Sequence, residues 1–299
     1  MKILITGING QLGKALIEKA PKKFKNSSIS IIGTTRNDLD LIQPINCKRA
    51  IQIHKPDWVI NSGAYTAVDN AEKEEKIAMR INAEAPRAFA EAIKEYGGQL
   101  LQLSTDFVFD GNQGSPYKTN QKRNPINTYG KTKSIGEEAV ENILFDSSQG
   151  TILRTSWLMG NVGKNFALTM LKLHAEKDKI NVVSDQIGSP TTTFSLASSC
   201  WTIIERKHIG NQIPNILHWC DSGVASWFDV AIYIGEIGYK LGLINKQAIV
   251  NPISSEQYQT LANRPSFSVL DTRDTIEALN LKPSYWRSSI FNLLQTKSP

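Results

Sequence analysis

Tyr129 and Lys133 stand at the two ends of Tyr129-Gly130-Lys131-Thr132-Lys133, at the start of an amphipathic stretch. Positions i and i+4 share one face of a helix, so a phenol and an ammonium would project together. A neighbouring cation stabilises phenolate, and is expected to lower the tyrosine pKa toward neutrality, as suits a proton donor to a carbonyl oxygen. Upstream, an apolar run ends in Leu103-Ser104-Thr105-Asp106. A hydroxyl at such a strand end can hydrogen-bond a reacting carbonyl. Strand side chains alternate, so Ser104 and Thr105 face opposite ways and only one can serve. The other is then a cap or a core bond.

A third group is Thr6-Gly7-Ile8-Asn9-Gly10-Gln11-Leu12-Gly13, between the first apolar run and the first helical pattern. Glycines spaced GxxGxxG permit a tight turn, a close backbone approach to a pyrophosphate and close packing of helix on strand. Gly7, Asn9, Gly10, Gln11, Leu12 and Gly13 are therefore candidates for cofactor binding. Where a site that prefers NAD would place an acid for the ribose 2′-hydroxyl, the chain reads Gly33-Thr34-Thr35-Arg36. Arg36 suits a 2′-phosphate, which favours NADPH over NADH; an exposed loop arginine is the alternative. Asp40 and Leu41, slightly downstream, are candidates to border the adenine.

These groups need a parallel sheet with helical crossovers to position them, and the first half of the chain alternates accordingly. Strands are expected at 2–6, 29–34, 58–61, 99–104 and 151–155, with helices at 11–20, 47–54, 71–96 and 129–142 between them. The order βαβαβαβαβ is that of a doubly wound α/β (Rossmann) fold, which binds ligands beyond the carboxyl ends of its strands. After Thr155 the pattern loosens into a helix at 164–175, a strand at 180–183, a helix at 194–205 and loops punctuated by Gly188-Ser189-Pro190, Ile213-Pro214 and Arg264-Pro265. Residues 1–155 are read as the dinucleotide-binding domain, with parts of 156–250 packing back on it. Residues 156–299 are read mainly as a smaller C-terminal substrate-binding lobe.

Composition agrees with an enzyme of small molecules. The chain has 299 residues, 40% of them hydrophobic, enough for a large core. Its formal charge of +6 is spread along the sequence without a basic block, so nucleic acid is not indicated and an anionic small substrate is. No run is long enough for a membrane span or a signal h-region. Cys47, Cys200 and Cys220 are far apart with no metal-ligand spacing, which fits a reduced cytoplasmic protein. The four histidines are read as structural or surface residues.

Taken in order, Val59-Ile60-Asn61-Ser62-Gly63-Ala64-Tyr65-Thr66-Ala67-Val68-Asp69, Ser104 to Gly111, Tyr129 to Lys133, Arg154-Thr155-Ser156-Trp157, Asp185-Gln186-Ile187-Gly188-Ser189-Pro190-Thr191 and Arg264-Pro265 resemble the dTDP-4-dehydrorhamnose reductase family of extended short-chain dehydrogenases/reductases. The resemblance runs over essentially the whole chain. It implies reduction of a nucleotide-sugar 4-ketone, with Tyr129 as proton donor, Lys133 lowering its pKa and holding the nicotinamide ribose, and Thr105 bonding the sugar carbonyl. It also implies that Gly63, Ala64 and Tyr65 pass beside the cofactor and that Asp106 and Trp157 contact the sugar. Core packing is the alternative for Trp157. Arg264 is a candidate for a phosphate of the nucleotide or for a structural ion pair. Some members of the family are magnesium-assisted dimers using glutamates. Lys14 and Ala15 supply no carboxylate here, so no metal is expected, and a homodimer is left open. Other nucleotide-sugar 4-ketoreductases and a non-catalytic regulatory subunit share the fold. The intact Thr105, Tyr129 and Lys133 favour an enzyme.

Overall fold

In the computed structural model, which describes residues 1–25 and 27–297, the apolar runs of the first half become neighbouring strands of one sheet. They are β1 (Lys2–Thr6), β2 (Ser30–Thr34), β3 (Trp58–Asn61), β4 (Gln99–Thr105) and β5 (Gly150–Thr155). A sixth strand, Ile216–His218, lies beyond β5 and is numbered β7 below, after β6 (Lys179–Val183) of the second half. The order β2-β1-β3-β4-β5-β7 is parallel throughout. Strand order reverses beside β1, which puts the expected ligand crevice at the carboxyl ends of β1 and β3.

Both faces of the sheet are covered, which is why its strands read as nearly unbroken apolar runs. Ile3, Ile5, Ile60, Leu101 and Leu153 point to one face, against α1 (Gln11–Glu18) and α6 (Thr193–His208). Leu4, Val59, Leu100 and Ile152 point to the other, against α2 (Pro44–His54), α3 (Ala85–Tyr96) and α4 (Thr128–Leu144). Truncating one of these buried leucines to alanine costs about 2–5 kcal/mol.

The second half both completes the first and builds its own core. α6 and β7 return to the sheet, so the sheet half of the molecule draws on residues far beyond 155. A separate cluster joins α5 (Phe166–Glu176), α7 (Trp227–Lys240) and the C-terminal helix Trp286–Gln295. Beside it, β6 pairs in parallel with β8 (Ile249–Ile253).

The expected single helix over 71–96 is broken into Val68–Ala71, Glu75–Met79, a π-turn Arg80–Glu84 and α3. Pro86 has no N–H to give to the carbonyl of Asn82, and a wider turn absorbs the defect. That carbonyl is where α4 packs: a β-carbon on Gly136 would come within 2.1 Å of it.

Candidate active site

At the carboxyl ends of β1, β3, β4 and β5 lies a cleft of about 620 Å³. The glycine turn forms one wall. Gly7 has φ +68°, and a β-carbon on Gly13 would lie 2.2 Å from the Gly7 carbonyl oxygen. Only a bare backbone lets α1 start this close to β1, which leaves its first N–H groups facing the cleft. The turn thus fits a dinucleotide pyrophosphate. Gly10 carries no side-chain cap and α1 has no acid in its first turn, so no carboxylate of that turn competes for the position.

A chain of buried amides and hydroxyls ties the strand ends together. Thr6 Oγ1 donates to Asn61 Oδ1 at 2.8 Å and accepts from the Gly63 N–H at 2.9 Å. Asn61 Nδ2 donates to Gln102 Oε1 at 2.8 Å, and Gln102 Nε2 donates to the Leu103 carbonyl at 2.8 Å. Ser62 Oγ donates to the Thr6 carbonyl at 2.5 Å. The residues after β3 are held further by Asn82, whose Oδ1 accepts from Tyr65 N–H at 2.9 Å and whose Nδ2 donates to Tyr65 O at 3.0 Å and Thr132 Oγ1 at 3.2 Å. Asn82 and Gln102 were not legible as site residues, because their partners are distant in sequence and no local motif announces them.

Tyr129, Lys133, Thr105 and Asp106 meet on the opposite wall. Asn127 caps α4 by accepting from the Gly130 N–H at 2.8 Å, so the helix begins where Tyr129 must face the cleft. The phenol ring packs edge-on against Phe107, with centroids 5.7 Å apart. Lys133 is buried and donates to the Leu103 carbonyl at 2.6 Å. Loss of solvation pushes its ammonium down to about 8, against an upward pull from Glu137.

The expected lowering of the Tyr129 pKa is not found. Burial pushes the phenol up to about 12, the Thr105 hydroxyl draws it down, and the Asp106 carboxylate raises it further. The reason is geometric: the Lys133 ammonium is turned to a backbone carbonyl. Tyr129 is consequently a neutral phenol through the physiological range, which is the proton-donating form. Asp106 is 2% exposed, and burial lifts it to about 6 although Ser268 and Thr105 pull it down. Thr105 Oγ1 donates to Asp106 Oδ1 at 3.0 Å and accepts from the Phe107 N–H at 3.2 Å. Its proton is given to Asp106, so it must turn from Asp106 to donate to the phenolate oxygen or to a substrate carbonyl. Ser104 lies next to Glu137, whose carboxyl it helps to lower.

Behind Lys133 lies a buried ion pair. Arg154 Nε and Nη2 reach Glu137 at 2.9 and 2.7 Å, and both side chains are 1% exposed. Arg154 Nη1 also donates to Thr119 O and lies 3.2 Å from His218 Nε2. Burial and the Arg154 charge push His218 down to about 3, so it stays neutral and structural.

Trp157 enters the cleft from the end of β5 with φ +46°, a strained conformation for a bulky residue. Its indole stacks on Trp227, centroids 3.5 Å and planes 4° apart. Gly188 also lies against the indole: a β-carbon there would come within 2.5 Å of the ring. Trp227 also lines the cleft and was not singled out as a site residue, since an aromatic starting a helix reads as packing. Arg264 reaches the lining while donating to Asp69 at 2.7 Å, so the ion pair is formed at the cleft's edge.

Gly7, Asn9, Gly10, Gln11, Leu12, Gly13, Arg36, Gly63 and Ala64 line the same cleft. Asp40, Leu41 and Tyr65 do not. Asp40 accepts from the Ile42 N–H, Leu41 is buried beneath Gly63, and the Tyr65 hydroxyl donates to Glu74 at 2.5 Å. Among the described residues no His, Cys, Asp and Glu cluster suits a metal ion, and no helix is long and apolar enough to cross a membrane.

A family model described as the RmlD substrate binding domain matches residues 1–298. The dTDP-4-dehydrorhamnose reductase of Aggregatibacter actinomycetemcomitans is 35% identical, with 98% of each chain covered. A probable dTDP-4,6-dihydroxy-2-methyloxan-3-one 4-ketoreductase of Streptomyces antibioticus is 36% identical over 97% of this chain and 93% of its own. The crystal structure of dTDP-4-dehydrorhamnose reductase from Bacillus anthracis in complex with NADP superposes with a TM-score of 0.85 at 33% identity, covering 98% of both chains.

Proposed function

The chain belongs to the RmlD substrate binding domain family, and from that premise we propose that it reduces the 4-keto group of dTDP-4-dehydro-6-deoxy-L-mannose to give dTDP-L-rhamnose, with NADPH favoured over NADH as reductant. The observation that carries the proposal is the convergence, in one cleft, of the glycine turn, the Tyr129 phenol with Lys133 and Thr105, and the Asp106–Trp157 wall.

When bound, the reduced nicotinamide supplies a hydride to C4 of the sugar; the carbonyl becomes an alcohol as its oxygen takes a proton. Tyr129 gives that proton, being neutral until about pH 12. Lys133, fixed to the Leu103 carbonyl, holds a positive charge at the base of the site until its pKa of about 8 and so favours the phenolate left after transfer. The Thr105 hydroxyl, held by Asp106, lowers the phenol pKa by hydrogen bonding to the phenolate oxygen and so favours the anion left after transfer. Gly7, Gly10 and Gly13 bring backbone donors to the pyrophosphate, and Arg36 at the far end of the cleft suits the 2′-phosphate. Asp106 and the Trp157–Trp227 stack border the space for the sugar.

The test follows NADPH absorbance with the dTDP-4-keto-6-deoxy-L-sugar generated in place. Oxidation by the wild type should fall ~10²- to 10⁴-fold in Tyr129→Phe with NADPH binding retained, the size of a general-acid contribution. Turnover unchanged in that variant would overturn the assignment. A second reading, reduction of a different dTDP-linked 4-keto sugar, is supported by the similarity to the Streptomyces antibioticus ketoreductase. The relative kcat/KM of the two sugars decides between them.

A further inference from the structure

The cleft is lined, among the described residues, by four cationic side chains: Arg36, Lys133, Lys164 and Arg264. Lys133 is committed to the Leu103 carbonyl and Arg264 to Asp69. Arg36 stands at the end of β2. Lys164 comes from the second half of the chain and is exposed, and like Arg36 its charged group has no hydrogen-bond or ion-pair partner among the described residues.

What places Lys164 is the first residue of α1. Gln11 Oε1 accepts from the Gly160 N–H at 3.0 Å and from Asn165 Nδ2 at 2.8 Å, and Gln11 Nε2 donates to the Lys164 carbonyl at 3.4 Å. Asn165 closes the segment on itself by donating to the Gly160 carbonyl at 2.8 Å, while its Oδ1 caps α5 through the Leu168 N–H at 3.0 Å. Residues 160–165 thus form a strap fastened across the glycine turn. Lys164 lines the cleft beside Gln11, the first residue of α1, and Gln11 holds the Lys164 backbone. The Lys164 ammonium makes none of the bonds that close the strap, which join Gln11 and Asn165 to each other and to backbone groups of residues 160–164, so the strap itself gives that cation no structural role.

We propose that Lys164 is a pyrophosphate-binding residue, closing over the dinucleotide from the opposite side to the glycine turn. The inference rests on the dinucleotide reading of that turn. The nucleotide-sugar substrate also carries a diphosphate, and binding measurements separate the two sources.

The experiment uses the full chain with Lys164→Met, which keeps the length and removes the charge, and Lys164→Arg, which keeps the charge. NADPH and NADH are titrated by fluorescence and dTDP by calorimetry, none of which requires turnover, so failure of the proposed reaction leaves this test intact. For Lys164→Met the Kd of both NADPH and NADH should rise about tenfold, in line with a charge-assisted hydrogen bond. The dTDP Kd should stay within about twofold, as expected of a site the lysine does not reach. Lys164→Arg should stay near wild type, and the difference should shrink in ~1 M salt. Weakened dTDP with unchanged dinucleotide affinity would keep the pyrophosphate chemistry and move it to the substrate. A loss confined to NADPH would place Lys164 on the 2′-phosphate and overturn the proposal, as would affinities for all three ligands that do not change.

Discussion

At the residue scale, the two ionisable groups of the proposed acid are driven apart by the same burial. The phenol is pushed up to about 12 and the ammonium down to about 8, so of this pair Lys133 titrates in the working range, on the alkaline side of Asp106 at about 6. Its pKa is depressed, hence the charged form is lost as pH rises through about 8, and kcat/KM should fall there with no further limb until far more alkaline pH. Lys133→Arg should remove that limb from whatever activity remains, because a guanidinium stays protonated. A limb that does not move in this variant would assign it to another group. The i,i+4 spacing made Tyr129 and Lys133 legible in the sequence. The direction of the tyrosine shift was not, since it depends on the Leu103 carbonyl, thirty residues away in β4, taking the ammonium. Trp227 was hidden for a similar reason: its stack with Trp157 exists only after the C-terminal lobe folds onto β5.

At the scale of elements, the seams between strand and helix carry the site, and they respond to single atoms. Gly13→Ala sets a methyl 2.2 Å from the Gly7 carbonyl oxygen, which must separate α1 from β1. It should cost about 1–3 kcal/mol in urea denaturation and weaken NADPH binding together with it; native stability and affinity would show that the turn is looser than described. The α4–β5 seam is held by Glu137 and Arg154. Arg154→Met leaves the buried Glu137 with Arg123 as its remaining cation, 3.2 Å away, so it should cost about 3 kcal/mol, and adding Glu137→Gln should return part of it. Additive losses would mean the two do not act as a pair. Sheet strands were legible because burial on both faces makes them apolar throughout. β7 was not: three residues between Pro214 and Trp219 are too few for a pattern, and their pairing with β5 is settled by the return of α6. The break in the helix at 80–84 follows from Pro86, a signal present in the sequence and outweighed there by the amphipathic pattern around it.

At the scale of the whole molecule, the chain does not divide at residue 155 into two independent units. α6 covers the sheet face formed by Ile3, Ile5, Leu101 and Leu153, β7 extends the sheet beside β5, and Trp157 and Arg264 bring the second half back to the cleft. A fragment of residues 1–155 should accordingly show no cooperative thermal unfolding by circular dichroism; a sharp transition would show a self-sufficient first half. The same interleaving places the proposed proton donor, phosphate cradle and sugar wall on different parts of the sequence, which makes the proposed hydride and proton delivery products of the complete fold. The most direct test of that central claim uses NADPH carrying deuterium at the transferred C4 position, with the dTDP-4-keto-6-deoxy-L-sugar, and reads the product by NMR. Deuterium at sugar C4 in the wild type, and its near loss in Tyr129→Phe, is the expected result. Deuterium absent from C4, or delivered there equally fast without the Tyr129 hydroxyl, would contradict it.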